Sequence, residues 1–280
     1  MFDTVYHNGQ FKKINDVHIS INDRGFLYGH SVYESICIID NHLLLFEEHV
    51  NRLYDGLKQL NIPVTLSKES LEKNIKKLCE INQVTSQAKC YVQVTAGDTA
   101  ERNYHDFGQP NIIIRLYEWH RKEISNHKAI LIDDLRWGLC HVKSNSLAFN
   151  AVAGKKAHQQ NAIEVIFIRD SFVQECSTSN IFICQENEIY TPDKSQQFLH
   201  GVTRQWVIDQ AQELNINVIE KPIHIDELYH ADEVFITASY KGIHPITCIN
   251  DKTINQHNIG NITKKLQEAY HHACHKINTY

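Results

Sequence analysis

The sequence has no basic tract. Its 28 lysines and arginines are scattered among 33 aspartates and glutamates, for a formal net charge of −5. Nucleic acid is not an expected partner, because binding its phosphates needs a concentrated positive surface. Nor does any apolar run approach the roughly 20 residues that a membrane helix needs, so a membrane is not expected either. The N-terminal stretch MFDTVYHNGQ lacks a basic segment followed by an apolar one, which argues against a secretory leader. No C-x-x-C pair occurs among the 8 cysteines. They stand singly in apolar stretches such as SICIID and NIFICQ, as reduced core residues of a cytoplasmic protein do. Two of them, Cys140 and Cys176, lie beside the segments that carry chemistry below. There is no H-E-x-x-H. His271 and His275 stand one helical turn apart in HHACH, but no carboxylate or thiolate completes the spacing, so no metal is expected. Internal repeats and low-complexity tracts are also missing.

What is present is ordinary for a soluble globular protein: 280 residues, 42% hydrophobic and 22% charged, enough for one large or two modest cores. TVYHNGQFKK reads as a hairpin turning at Asn8-Gly9, and SVYESICIIDNHLLLFEEHV as holding two strands joined at Asp40-Asn41. EEHVNRLYDGLKQLNI is amphipathic, with Val50, Leu53, Leu57 and Leu60 on one face. SKESLEKNIKKLCEI is another such helix, striped by Leu71, Ile75 and Leu78. KCYVQVTAG and NIIIRLYEW are strands, separated by the polar loop DTAERNYHDFGQP. HRKEISNHK breaks the apolar rhythm and reads as a linker. Beyond it, AILIDDLRW is a strand and SLAFNAVAGKKAHQQN a helix. EVIFIRDSFVQECSTSNIFICQENEIYTP is a series of strands and turns. GVTRQWVIDQAQELNI is a helix, DEVFITAS a strand and NITKKLQEAYHHACHK a closing helix. The pattern predicts two α+β domains, 1–119 and 128–280, joined by a linker at 120–127, with a cleft between them as the default site.

Four distant stretches of the second half carry groups that one anionic, carbonyl-bearing cofactor would need. HVKSNSLAFN offers the primary amine of Lys143, followed by Ser144, Asn145 and Ser146 as helix-capping residues. Glu175 stands among small hydroxyl residues at a strand-to-turn junction in VQECSTSN. LHGVTRQW opens a helix at Gly201, Val202 and Thr203, where unpaired backbone N–H groups make a phosphate seat. ITASYKG puts Thr237 and Ser239 after a strand. In the first half, Arg52 sits on an amphipathic helix with a guanidinium that can grip a phosphate.

The order of these stretches resembles that of the fold-type IV pyridoxal 5'-phosphate (PLP) enzymes, which include D-amino-acid aminotransferases, branched-chain aminotransferases and aminodeoxychorismate lyases. NDRGFLYGHSVYES is similar to the family's D-R-G-x-x-x-G-D-G-V-[YF]-E segment and FEEHVNRL to its E-H-x-x-R-L helix. LRWGLCHVKSNSLAFNAVAGKKA resembles the lysine segment, VQECSTSNIFI the T-E-G-x-x-x-N-[IVL]-F segment, and LHGVTRQWVI the L-x-G-I-T-R helix start. The resemblance implies a small α/β N-terminal domain, a larger pseudo-barrel α/β C-terminal domain and a homodimer. It also implies that Lys143 holds PLP as a Schiff base and serves as proton carrier, and that Glu175 faces the pyridine nitrogen. Arg52, Val202, Thr203 and Ser239 would hold the phosphate, and Leu199 would back the ring.

Within the family, the D-specific branch fixes the substrate carboxylate with a tyrosine and an R-x-H loop. Tyr33 matches the tyrosine. Arg102 and His105 match the loop with one extra residue between them. The resemblance therefore implies transfer of an amino group from a D-amino acid, such as D-alanine, to a 2-keto acid. The alternatives are an aminodeoxychorismate lyase, forming 4-aminobenzoate and pyruvate, and then a branched-chain L-amino-acid aminotransferase. A PLP-binding protein without turnover is the non-enzymatic alternative, against which Lys143 and Glu175 argue. The chain departs from the family pattern at His30-Ser31, where an acidic residue and glycine are usual, at Ala96, and at Cys176.

Overall fold

The computed structural model describes residues 2–63, 66–120, 125 and 127–276, without the side chains of 275 and 276. The expected linker at 120–127 falls largely outside the described residues. The described residues fall into two compact units: one holds those up to His120 together with Val142–Ser146, and the other holds the remaining described residues. Residues 142–146, within the span expected for the second domain, fall with the first unit. Residues 142–146 join the first unit because they pair with its sheet. Ser144 bridges to Val32, Tyr33 N–H donates to the Lys143 carbonyl at 2.9 Å, and Ser31 Oγ donates to Asn145 Oδ1 at 2.7 Å.

In the first unit, β1 (Thr4–His7) and β2 (Gln10–Lys13) form the hairpin. Asn8 and Gly9 both have positive φ, 45° and 88°, which a tight turn matched to the strand twist requires. α1 (Arg24–Tyr28) starts at Asp23, whose Oδ1 accepts from Gly25 N at 2.7 Å, and it stops at left-handed Gly29. β3 (Ser31–Ile39), β4 (His42–Leu43), α2 (Phe46–Gln59), α3 (Lys68–Ile81), β5 (Gln87–Thr95) and β6 (Asn111–Glu118) follow. The strands make one antiparallel sheet in the order β2-β1-β6-β5-β3-β4. The predicted stripes Val50-Leu53-Leu57 and Leu71-Ile75-Leu78 are buried. Both helices face an apolar space lined by Leu53, Leu57, Leu71, Val92, Val94 and Ile112. Leu60, read from sequence as part of the stripe, instead ends α2, and its carbonyl accepts from His30 Nε2 at 2.7 Å.

The second unit runs β7 (Lys128–Asp133), α4 (Ala148–Gln159), β8 (Glu164–Arg169), β9 (Phe172–Cys176), β10 (Asn180–Gln185) and β11 (Glu188–Thr191). It continues with α5 (Val202–Glu213), β12 (Val218–Glu220), β13 (Ile223–His224), α6 (Ile225–His230) and β14 (Glu233–Ala238). It closes with β15 (Gly242–Ile246), β16 (Cys248–Ile249), β17 (Lys252–Thr253) and α7 (Asn261–Lys276). Two sheets result, in the orders β12-β11-β10-β14-β15 and β13-β9-β8-β7-β16-β17. One buried cluster draws on both of them, with Ile166 and Val173 from one sheet and Ile181, Val234 and Ile236 from the other. This shared core is what the α+β pseudo-barrel expectation requires.

Two local readings are corrected. Ser144, Asn145 and Ser146 do not cap α4: its N-cap is Leu147, without a side-chain cap bond, because Ser144 and Asn145 are engaged by the first unit's sheet and Ser146 N donates to Ser144 Oγ. The strand read as AILIDDLRW ends at Asp133, because Asp134 Oδ1 accepts from Arg136 N at 3.1 Å and turns the chain. α6 was not expected, although His224 and Glu227 form a capping box there.

The start of α7 is fastened by a carboxylate from β14. Glu233 accepts from Ile262 N at 3.0 Å, Thr263 N at 2.8 Å and Thr263 Oγ1 at 2.7 Å. A Cβ on Gly260 would lie 1.8 Å from Glu233 Cδ. Glu233→Ala leaves buried N–H donors unpaired and should cost about 1–3 kcal/mol. Gly260→Ala should also destabilise by displacing the carboxylate. Urea unfolding of both variants checks this, and an unchanged midpoint would show the cap to be dispensable.

Candidate active site

Lys143 lies in the first unit. Its backbone is held by β3, so Lys143 Nζ lies 4.5 Å from the centroid of the Tyr33 ring. Tyr33 packs on Tyr91 with centroids 5.4 Å apart. Asn145 Nδ2 donates to the Tyr91 hydroxyl at 3.0 Å, and burial pushes that hydroxyl's pKa up to about 12. Among the described residues no carboxylate pairs with Lys143, so its amine is not neutralised by an ion pair. The structure thus brings together two residues singled out from sequence.

Glu34 follows Tyr33 and points to the other side of the strand. It is buried, and accepts from Arg52 Nε at 2.7 Å, Arg52 Nη2 at 2.9 Å and His49 Nδ1 at 2.7 Å. Burial alone would raise its pKa, but the Arg52 and His49 charges and bonds outweigh that and hold it well below the usual carboxylate range. Burial holds His49 below its ordinary value, against the opposing pull of Glu34. Arg52, read from sequence as a phosphate ligand, is therefore oriented by a buried carboxylate. Sequence reasoning passed over Glu34 and His49, although the spacing E-H-x-x-R places His49 and Arg52 on one face of α2.

Arg102 and His105 lie in the same unit on the loop between β5 and β6. Both are exposed. Arg102 Cζ sits 5.8 Å from the Tyr28 ring centroid, and His105 Nε2 is 3.7 Å from Asp106. No described hydrogen bond or ion pair joins either to Lys143 or Tyr33.

Glu175 lies in the second unit. Glu175 sits near the end of β9 and accepts from Arg136 Nη1. Arg136 also binds Asp134, with Nε and Nη2 each at 2.9 Å, and stacks 4.4 Å over the Phe167 ring. Arg169 reaches the same aspartate at 3.0 Å. The Arg136 side chain is only 4% exposed; burial opposes its charge, but Asp134 and Glu175 raise its pKa above the ordinary arginine value. Sequence reasoning missed Arg136, whose signal is the acid-x-Arg spacing in DLRW. Burial pushes the Cys140 thiol up to about 11 and Cys176 well above its ordinary value, so neither is a thiolate nucleophile at neutral pH.

The turn after Glu175 is tied down by Glu164. This buried carboxylate accepts from the hydroxyls of Ser177, Thr178 (2.7 Å) and Ser179 (2.9 Å) and from Lys241 Nζ at 2.6 Å. Farther on, the uncapped N-terminus of α5 begins at Gly201. Gly201 faces Asn180, whose Oδ1 would lie 2.0 Å from an added Cβ, and Asn180 Nδ2 donates to the Leu199 carbonyl at 2.7 Å. Asn180 pairs with Thr237 in the sheet. Thr203 Oγ1 and Thr237 Oγ1 are both buried with no hydrogen-bond partner among the described residues. Two orphaned hydroxyls beside an uncapped helix start suit an oxyanion. Val202 belongs to this helix start, and Ser239 lies in the turn after β14. Among the described residues no group of side chains is suited to a metal ion; the His275 side chain lies outside them.

Residues 31–249 match the family described as Amino-transferase class IV. A D-alanine aminotransferase of Bacillus licheniformis is 34% identical to this chain over 269 residues, covering 95% of each chain. Another, from Staphylococcus aureus (strain N315), is 30% identical and covers 96% of each chain. Among solved structures, a branched-chain amino acid aminotransferase with pyridoxamine 5'-phosphate has a TM-score of 0.92. It is 24% identical, and the match covers 100% of this chain and 96% of that one. The branched-chain enzyme of the archaeon Thermoproteus uzoniensis, solved with norvaline, has a TM-score of 0.91 at 22% identity, with 99% and 96% covered. At these identities the structural likeness establishes the fold.

The buried carboxylates give a pH dependence with a definite sign. Glu34, Asp134 and Glu164 are all held below their ordinary values: burial opposes this in each, and the paired cations outweigh it. Each contributes stability that is fully present above the ordinary carboxylate range, about pH 4–4.5, and lost as pH falls through the lowered values. Glu34→Gln should lower neutral-pH stability by about 3–5 kcal/mol, since it leaves the Arg52 charge uncompensated. It should also flatten the acid limb of the stability curve. Urea unfolding between pH 7 and pH 3 checks both, and an acid limb as steep as wild type would mean Glu34 does not titrate with folding.

Proposed function

The chain belongs to the class IV aminotransferase family, and on that premise we propose that it moves the amino group of a D-amino acid, such as D-alanine, to a 2-keto acid. It is a PLP-dependent transaminase, whose substrates are amino acids and keto acids. The observation that carries the reading is the lysine amine held over the Tyr33 ring by the pairing of its backbone with β3. The D-amino acid preference rests on the relatives that are D-alanine aminotransferases across nearly the whole chain.

The residues fit the cofactor. Bound PLP supplies an aldehyde carbon that takes up the amino group and a protonated pyridine ring that accepts electrons. Lys143 Nζ would hold the aldehyde carbon. Glu175 would keep the pyridine nitrogen protonated, and Arg136 holds Glu175 in place by donating to it from Nη1. The phosphate would meet Arg52, the N–H and side chain at Val202 and Thr203, Ser239, and the orphaned Thr237 hydroxyl. Leu199 would pack on the ring. During turnover the amine of Lys143 takes the substrate's α-proton and later releases it, so one nitrogen acts as base and then as acid. Tyr33 shields that nitrogen from water on one side. Tyr33, Arg102 and His105 would take the substrate carboxylate. The active species is a cytoplasmic homodimer on this reading. No described helix is long and apolar enough to cross a membrane.

Two experiments test the proposal. Protein loaded with PLP is given D-alanine, L-leucine or aminodeoxychorismate, with 2-oxoglutarate as acceptor. Pyruvate and D-glutamate from D-alanine, without 4-aminobenzoate from the third compound, is the expected result; turnover of L-leucine alone would overturn the D-specific reading. Second, Glu175→Gln should retain cofactor but lose at least about tenfold in kcat, or roughly 1.4 kcal/mol of barrier. An unchanged kcat would mean that another group serves the ring nitrogen.

A further inference from the structure

Arg24 is a buried guanidinium, 4% exposed, that pairs with no carboxylate among the described residues. A cation in that position is costly unless its donors are used well. Nη1 donates to the Asn103 carbonyl at 2.8 Å, and Nε donates to His30 Nδ1 at 3.3 Å. His30 is fixed as an acceptor there because its Nε2–H is committed to the Leu60 carbonyl at 2.7 Å. Arg24 Cζ also sits over two rings, 5.1 Å from the Tyr28 centroid and 5.0 Å from that of Phe107. Tyr28 Oη donates to the same Asn103 carbonyl at 3.2 Å. Two of these contacts, Asn103 and Phe107, belong to the exposed loop that carries Arg102 and His105.

The loop is built around Asn103. Its Oδ1 accepts from His105 N at 3.1 Å and Asp106 N at 2.8 Å, and its Nδ2 donates to the Glu101 carbonyl at 3.1 Å. At the base, an added Cβ on Gly97 would lie 1.9 Å from the Gln109 oxygen, and one on Gly108 would lie 2.0 Å from the Asp98 oxygen. The two limbs of the loop therefore touch backbone to backbone. Arg24 N–H also donates to the Gly97 carbonyl at 2.8 Å. The residue thus grips the loop at its base through its backbone and at its tip through its side chain.

We infer that Arg24 is the positioning residue for substrate-carboxylate recognition: it clamps the Asn103 carbonyl and so fixes where Arg102 and His105 stand, without itself touching substrate. The inference rests on the D-amino-acid reading above. It accounts for the extra residue between Arg102 and His105, since Asn103 serves as the point of attachment. It also accounts for a buried cation with no anion: the charge is matched by a carbonyl dipole and two ring faces.

The test uses PLP-loaded protein carrying Arg24→Lys or Asn103→Ala, with wild type and Arg102→Ala for comparison. Arg24→Lys keeps the charge but loses the fork. Asn103→Ala leaves the core untouched and removes the turn that presents His105. Each should raise KM for D-alanine about tenfold, the worth of one well-placed charge-assisted bond, with kcat within about twofold and the cofactor absorbance unchanged. Trypsin cleavage after Arg102, followed by mass spectrometry, should accelerate about tenfold in both, a readout independent of activity. Wild-type KM and cleavage rates in both variants would overturn the inference. So would faster cleavage with an unchanged KM, because the loop would then be clamped without serving the substrate. A wild-type enzyme that turns over L-amino acids but no D-amino acid would instead sink the parent reading, and this inference with it.

Discussion

A short backbone pairing governs the placement of the lysine. Residues 142–146 meet β3 through the bridge between Ser144 and Val32 and the bond from Tyr33 N to the Lys143 carbonyl. A strand fixes alternate side chains on opposite faces, so pairing the lysine segment with β3 determines which β3 side chain the amine meets. That side chain is Tyr33, and the one behind it is Glu34. One register therefore sets the surroundings of the amine and the anchor of Arg52. A slip of one residue would put Glu34 on the lysine's side of the strand and exchange a reactive amine for an ion pair.

The buried charges follow a common plan. Glu34 is matched by Arg52 and His49, Glu175 by Arg136, Asp134 by Arg136 and Arg169, and Glu164 by Lys241 and three hydroxyls. Buried pairs of this kind contribute little net stability compared with apolar packing, but breaking one is strongly destabilising. Their effect is to hold particular atoms still. Arg52 is oriented on α2, Glu175 at the end of β9, and the hydroxyl-rich turn after it by Glu164. Thr203 and Thr237 show the complementary condition. Their hydroxyls are buried and unpaired among the described residues, a deficit that a bound phosphate would fill.

Much of the fold was legible because its signals are local. Asn8-Gly9 marks a hairpin through its own backbone preference, and the stripes of α2 and α3 are written at helical spacing. The order of the lysine, acid and helix-start segments pointed to the family that the whole-chain matches establish. What was hidden depends on contacts between distant residues. Ser144, Asn145 and Ser146 have the composition of a helix cap, and only the partner strand reveals that the first two pair with a sheet. Arg136 looks like any surface arginine until Glu175, 39 residues away, closes on it. Arg24 gave no sign of its burial, because its partners in the 98–108 loop lie some 79 residues along the chain. The unexpected α6 is different: its capping box is local, in HIDE, and was readable.

Reduction with borohydride shows directly whether Lys143 is the residue to which the cofactor attaches. Protein incubated with PLP, reduced and digested should carry the pyridoxyl mass on the peptide containing Lys143 and no other, and Lys143→Ala should give no stable adduct. A pyridoxyl group found on another lysine, or colourless protein with no adduct at all, would contradict the account.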